Sequence, residues 1–465
     1  MLPLNQQHLP DVEFEICKKH RFNPKKADKP SNNPDVQQKA FQKTWNTLKA
    51  ATSQVKSRKQ PKEQRDRDKL EKRVIEEFTK MFTDTDSFYY SCTGDLTNSI
   101  QRMYYQSKDP EYKSLPLWKR IDDRFFWNKY MLSELINLHD PLCDPWIIPV
   151  IQGFVQIEQC WIDIIDDAES LSAEGARFFP PPVLLPDTAG KNYSMTLISR
   201  RSRHRAGTRY KRRGVDDSGK CANYVETEQI FEFASHTVSF VQTRGSVPIF
   251  WSQPGYKYRP PPQLDKGEEE TQTAFETHFA EELSIYNKHV VIINLMEQTG
   301  KEKIINDAYL KHILEFSCPD LTYVSFDFHE YCRGMRFENV SVLIESIQDV
   351  IRDMRYCWTD SEGLICEQRG VFRVNCVDCL DRTNIVQTAL AKTVMDIQFN
   401  KLGLLPPEGV LPAGCRRIFQ MLWANNGDII SRQYAGTVAL KGDYTRTGER
   451  RIAGMMKDGY HSANR

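Results

Sequence analysis

The chain has 465 residues, enough for two or three domains and a large core. Its formal net charge is +1, so no global field draws it to nucleic acid or to a membrane, and anion binding must come from local patches. Twelve scattered cysteines exclude a disulfide scaffold and fit a reducing, cytoplasmic setting, and no apolar run approaches the roughly 20 residues that span a bilayer.

The N-terminus lacks the basic start and apolar core of a signal peptide. Residues 18–35 are basic and rich in Pro and Asn, and read as a loop. Residues 56–73 mix charges around Pro61, as a solvated linker or an exposed helix start does. Leu70, Val74, Ile75, Phe78, Met81 and Phe82 then recur at helical spacing and should face a core. Residues 88–90 and 146–155 suggest a first, strand-containing domain, and Pro-rich 178–186 is the best linker candidate. Extended stretches follow at 193–198, 228–233 and 237–243. From Thr271 helices alternate with strands: a helix over 271–287, a strand at 289–295, another helix, a strand at 322–328, a helix over 338–356 and a strand at 371–374. The pattern predicts an α/β fold. A mainly parallel sheet is flanked by helices and preceded by a smaller strand-rich N-terminal domain. The division is 1–185 and 186–465.

The most informative stretch is Arg373-Val-Asn-Cys376-Val-Asp-Cys-Leu-Asp-Arg382-Thr383-Asn384. A cysteine and an arginine separated by five residues suit a phosphatase with a cysteinyl-phosphate intermediate. The thiolate attacks phosphorus in line, and the arginine fork with backbone N–H groups holds the other oxygens. The apolar positions Ile385, Val386, Ala389, Leu390, Val394 and Ile397 predict a helix after the loop, with Thr383 as its N-cap. A helix N-terminus binds phosphate and, with Arg382, should lower the pKa of Cys376. Cys376 and Cys379 form one C-x-x-C pair, and no second pair with zinc spacing accompanies it. Cys379 could instead reversibly protect an oxidised Cys376.

This loop resembles the signature of the Sac-domain phosphoinositide phosphatases. The segment 199–229, with Arg-Ala-Gly-Thr-Arg-Tyr and Ala-Asn-Tyr-Val-Glu-Thr-Glu-Gln, resembles a second Sac motif, and Arg244-Gly-Ser-Val-Pro-Ile-Phe-Trp-Ser-Gln253 a third. Residues 88–101, 124–131, 326–329 and 434–437 also fit, so the resemblance runs from about residue 70 onward. Arg201-Ser-Arg-His-Arg205 and Phe240-Val-Gln-Thr-Arg244 look most like the Sac-two subtype. The resemblance implies hydrolysis of the 4-phosphate of phosphatidylinositol 4-phosphate, and a peripheral place on endosomal or related membranes. The chain begins further in than the family's usual N-terminal domain and stops abruptly at Arg465, which points to a fragment or a shortened sequence.

Cys376 is the expected nucleophile and Arg382 the bidentate phosphate clamp. Asn375, Thr383 and Asn384 support the loop. No Trp-Pro-Asp tripeptide offers a general acid from a separate loop. Myotubularin phosphatases place aspartates at the offsets of Asp378 and Asp381, and by that resemblance Asp381 is the first candidate acid and Asp378 the second. Arg200 to Arg213 holds seven arginines and one lysine with no acid. Most read as a solvated face. As a cluster, Arg201, Arg205, Arg209, Lys211, Arg212 and Arg213 suit an inositol phosphate headgroup or an anionic leaflet. They lack the interleaved aromatics of a nucleic-acid surface. Lys441, Arg446 and Arg450 could add charge near the site, His329 reads as a satisfied structural histidine, and Trp251 as a packed aromatic. The chemistry needs no cofactor and no metal. The expected partners are a phosphoinositide headgroup, an anionic membrane surface and unidentified recruiting proteins. The alternatives are an inactive lipid-binding adaptor and a dual-specificity protein phosphatase.

Overall fold

The structure is a computed structural model. It describes residues 62–83, 87–163, 190–208, 212–254, 260–287, 289–377, 380–406, 409–440, 442–447 and 458. Contacts divide the chain into residues 18–86 and the remainder. The smaller unit contributes one described helix, α1 (Lys62–Thr83). Its Leu70, Val74 and Ile75 are 62%, 57% and 58% exposed, so these three members of the expected core-facing stripe face solvent instead, and the side chains of Phe78, Met81 and Phe82 lie outside the description. The Pro-rich linker candidate lies outside the described residues.

The larger unit is built on a ten-stranded mixed sheet. Its strands are β1 (Phe88–Tyr90), β2 (Val150–Asp163), β3 (Gly190–Arg201), β4 (Val225–Phe233), β5 (His236–Arg244), β6 (Val290–Asn294), β7 (Leu321–Ser325), β8 (Cys357–Thr359), β9 (Leu364–Cys366) and β10 (Val371–Asn375). β1 to β5 form an antiparallel meander, and β10, β6 and β7 continue the sheet in parallel with β5. The expected parallel sheet thus describes the C-terminal half. The boundary anticipated at residue 185 falls in the connection between β2 and β3, which are hydrogen-bonded neighbours. β5 serves two partners along one edge. Residues 237–239 pair antiparallel with β8, and residues 242–244 pair parallel with β10.

Helices cover both faces of the parallel part. α2 is Ile100–Gln106, α3 Glu268–Ile285, α4 Lys303–Phe316, α5 Val340–Ser346, α6 Gln348–Met354, α7 Asp381–Lys401 and α8 Ala413–Ala435. The stretch expected as one helix over 338–356 is broken between α5 and α6 at Ile347, which lies outside helical geometry. Side chains alternate across the strands. Val290, Ile292 and Val371 pack against Phe275, Phe279 and Tyr309 on one face. Val291, Ile293, Phe372 and Val374 pack with Val386, Leu390, Val394 and Trp423 on the other. These strands are buried on both faces, which explains their nearly unbroken apolar runs. No helix among the described residues is long and apolar enough to cross a membrane.

A buried ionic network fastens α2 and the segment after it to the meander. Glu226 accepts from both Nη groups of Arg102 at 2.8 Å, from Arg200 Nη1 at 3.1 Å and from Arg124 Nη2 at 3.3 Å. Arg200 Nη2 also donates to Glu228 Oε2 at 2.8 Å. Burial alone would raise the Glu226 carboxyl, but these arginines hold it well below the usual carboxylate range.

Candidate active site

β10 ends at Asn375 and α7 begins at Asp381. Their connection leaves the C-terminal end of a central parallel strand, the edge at which α/β sheets bind ligands. Cys376, the first residue of the connection, is 2% exposed. Asp378 and Cys379 lie outside the described residues.

The two ends of this loop are tied to four different segments. Asn375 Nδ2 donates to Asn294 Oδ1 at 2.8 Å, and the Leu295 N–H donates to the Asn375 carbonyl at 2.9 Å. Asn294 is itself fixed by Nδ2 bonds to Asn306 Oδ1 at 2.7 Å and Tyr323 Oη at 2.9 Å. Arg213 Nη1 donates to the Val377 carbonyl at 2.7 Å, and its Nη2 to Gln253 Oε1 at 2.7 Å. Asp381 Oδ1 accepts from the Leu440 N–H at 2.6 Å. Arg382 makes a bidentate ion pair, Nη1 to Glu302 Oε2 at 3.1 Å and Nη2 to Glu302 Oε1 at 3.2 Å.

The helix start differs from the expectation in one respect. Leu380 holds the cap position and supplies no side-chain cap. Thr383 sits inside the first turn, fully buried, with its hydroxyl donating to the Leu380 carbonyl at 3.1 Å. The ladder already begins there, because the Asn384 N–H reaches the same carbonyl at 3.2 Å. Thr383 therefore does not cap the helix. Asn384 joins α7 to α8 through Nδ2 to the Trp423 carbonyl at 3.2 Å. A Cβ at Gly427 on α8 would stand 2.8 Å from that same Nδ2, so glycine permits the close crossing.

Behind the loop lies a buried cation. Arg373 on β10 is fully buried, with Nε donating to His278 Nε2 at 3.1 Å and Nη2 to the Ser246 carbonyl at 2.9 Å. His278 Nε2 must then be an acceptor, so the ring is neutral and its Nδ1 donates to the Gly219 carbonyl at 2.9 Å. Burial, and then the Arg373 charge, push His278 well below its ordinary value. Burial also pushes the neighbouring Cys221 thiol up to about 12 and the Glu282 carboxyl upward. Among the described residues no carboxylate forms an ion pair with Arg373. Arg213 and Arg244 are buried as well.

Two members of the basic cluster, Arg201 and Arg213, are buried rather than surface-facing. Arg201 is 4% exposed; its Nη1 donates to Gln152 Oε1 at 2.8 Å and its guanidinium lies 4.0 Å over Tyr434. Arg213 is 3% exposed and serves the loop as described. Arg205 donates to the Arg213 carbonyl through Nη2 at 2.6 Å, and Arg212 is exposed. Arg209 and Lys211 lie outside the described residues. The burial has a physical reason: a planar fork on an apolar stem can be satisfied by several internal acceptors at once. His329 is exposed rather than a satisfied core histidine, while Trp251 is packed as expected. Arg446 pairs with Asp428, and Lys441 and Arg450 lie outside the described residues.

Residues 26–333 match the family described as the SacI homology domain. The chain belongs to the SacI homology family. Phosphatidylinositide phosphatase SAC2 of Homo sapiens is 55% identical over all of this Sac chain and 40% of its own length. Its Danio rerio counterpart is 53% identical over all of this chain and 41% of its own. Phosphatidylinositol-3-phosphatase SAC1 of Drosophila melanogaster is 38% identical over 82% of this chain and 60% of that protein. The Sac chain thus spans about two fifths of the length of the first two relatives.

Two groups at this Sac-domain site were not anticipated from sequence. A charged residue inside the apolar run Val371-Phe-Arg-Val was a usable signal for Arg373, since arginine is rarely buried without partners. Glu302 offered no local signal, being 80 positions from Arg382.

Proposed function

We propose that this Sac domain is a phosphoinositide phosphatase that removes the 4-phosphate of phosphatidylinositol 4-phosphate through a cysteinyl-phosphate intermediate. The observation that carries the reading is the order of parts at one sheet edge, with Cys376 directly after a central parallel strand and Arg382 in the first turn of the following helix. The names of the relatives support a phosphoinositide as substrate. The start of α7 at the end of the loop favours a bound phosphate.

In the first step the Cys376 thiolate attacks phosphorus in line, an S–P bond forms and the bond to the inositol oxygen breaks. A loop carboxyl, Asp381 first and Asp378 second, gives its proton to the leaving oxygen. The resulting carboxylate then takes a proton from water as that water attacks phosphorus, which releases phosphate and restores the thiolate. Arg382 and the first-turn N–H groups of α7 hold the non-bridging oxygens through both steps. Asn375, Thr383 and Asn384 keep the loop ends in place. Arg212 and the neighbouring Arg209 and Lys211 suit an anionic leaflet, consistent with peripheral action on endosomal or related membranes.

The test is phosphate release from vesicles carrying each monophosphorylated phosphatidylinositol, with the parent chain and Cys376→Ser. The expected result is release from the 4-phosphate lipid that is lost in the variant. Preferred release from the 3-phosphate lipid, as the name of the Drosophila relative suggests, would overturn the regiochemistry alone. No release by a folded, vesicle-bound parent would favour an inactive lipid-binding adaptor.

A further inference from the structure

The Arg382 guanidinium, the proposed phosphate clamp, has both Nη groups on the Glu302 carboxylate, at 3.1 and 3.2 Å. A carboxylate offers the same two-oxygen edge that a phosphate offers to an arginine fork. Glu302 is held in place as well. It sits at the N-cap of α4, and its Oε2 accepts the Glu297 N–H at 3.0 Å. The pair is largely screened from solvent, with 24% of the Arg382 side chain and 14% of the Glu302 side chain exposed. Glu302 comes from the connection after β6, the strand hydrogen-bonded to β10, so the carboxylate and the loop emerge from the same edge of the sheet.

We propose that Glu302 is an internal competitor for Arg382. It is a positioning residue that occupies the arginine fork when no phosphate is present and lowers the affinity of the loop for free phosphate, so that product leaves. This deepens the phosphatase reading and rests on it. Bound phosphate must draw the fork away from a fixed carboxylate and tolerate that negative charge a few ångströms away. A neutral amide of the same shape removes both costs. No chemical step is added: Glu302 acts on the reaction only through Arg382.

The experiment measures inorganic phosphate binding by calorimetry to the parent chain, Glu302→Gln and Glu302→Asp, together with inhibition of lipid hydrolysis by added phosphate. Glu302→Gln should bind phosphate about tenfold tighter and be inhibited at correspondingly lower phosphate. Its KM for the lipid should fall, with a smaller change in kcat. Glu302→Asp, whose shorter arm loses the bidentate reach, should shift in the same direction by less and serves if the amide fails to fold. Unchanged or weaker phosphate binding in a folded Glu302→Gln would overturn the proposal. Such a result with Cys376→Ser inactive would leave the phosphatase reading standing. Tighter binding with Cys376→Ser fully active would keep the competition and remove the cysteine mechanism.

Discussion

Asp381 and Arg382 have different anchors, and that difference separates their roles. Asp381 is oriented by a backbone N–H from the segment after α8, at 2.6 Å. A carboxyl held at the helix start can be aimed at a leaving oxygen above the loop. Asp381→Asn should therefore slow lipid hydrolysis about a hundredfold or more, with little change in vesicle binding, and Asp378→Asn should cost less. Rates for both variants on the same vesicles decide it, and the reverse order would transfer the acid role to Asp378. At this scale the sequence was most readable where chemistry is local. Cys376, Asp381 and Arg382 sit within seven consecutive residues, so spacing alone announces them. Glu302 reaches the loop only through folding, with no local pattern to mark it, and Arg213, marked by its basic cluster as a headgroup or leaflet contact, bonds the loop backbone instead.

Among elements, the crossing of α7 and α8 matters most to the site because Asn384, three residues after Asp381, lies in it. Gly427→Ala would place a methyl 2.8 Å from the Asn384 amide, in a buried contact with little room to give. The expected outcome is a loss of about 1–3 kcal/mol in denaturant unfolding, with slower hydrolysis as the first turn of α7 shifts. Unchanged stability and rate would show that the helices separate without cost. The helix itself was legible: Ile385, Val386, Leu390 and Val394 recur at helical spacing and are buried. Its first residue was not, because a Thr near a helix start resembles a cap whether or not the ladder has already begun. The meander was legible as extended segments but not as an antiparallel half-sheet. Strand direction is set by pairing between distant segments, and local alternation carries no sign of it.

For the molecule as a whole, buried charge makes stability depend on pH. The Glu226 carboxyl is depressed in the folded state, so its stabilisation is present above the ordinary carboxylate value of 4.5 and is lost as pH falls toward its folded value. His278 is a base held neutral. The unfolded chain binds its proton below the ordinary value of 6.5 and the folded chain does not, so stability falls as pH drops through that range. Both act in the same direction, His278 first and Glu226 later. The urea midpoint should fall steadily between about pH 7 and pH 5 and more steeply below. A flat midpoint down to about pH 5 would contradict the neutral, Arg373-facing His278. Composition conceals this behaviour, since a near-neutral total says nothing about which charges are inside. The run of arginines at 200–213 reads as surface for the same reason, although Arg200, Arg201 and Arg213 are all buried.

The bond from Arg213 to the Val377 carbonyl has a mechanical consequence. The bond joins the basic segment to the residue beside Cys376, 164 positions apart in the chain. A force that displaces the segment is delivered to the peptide adjoining the sulfur, and a change in loop shape is returned along the same link to the exposed Arg212 next to Arg213. The position of the basic segment and the backbone geometry beside the sulfur are therefore coupled in this molecule; a shift in either one strains the other.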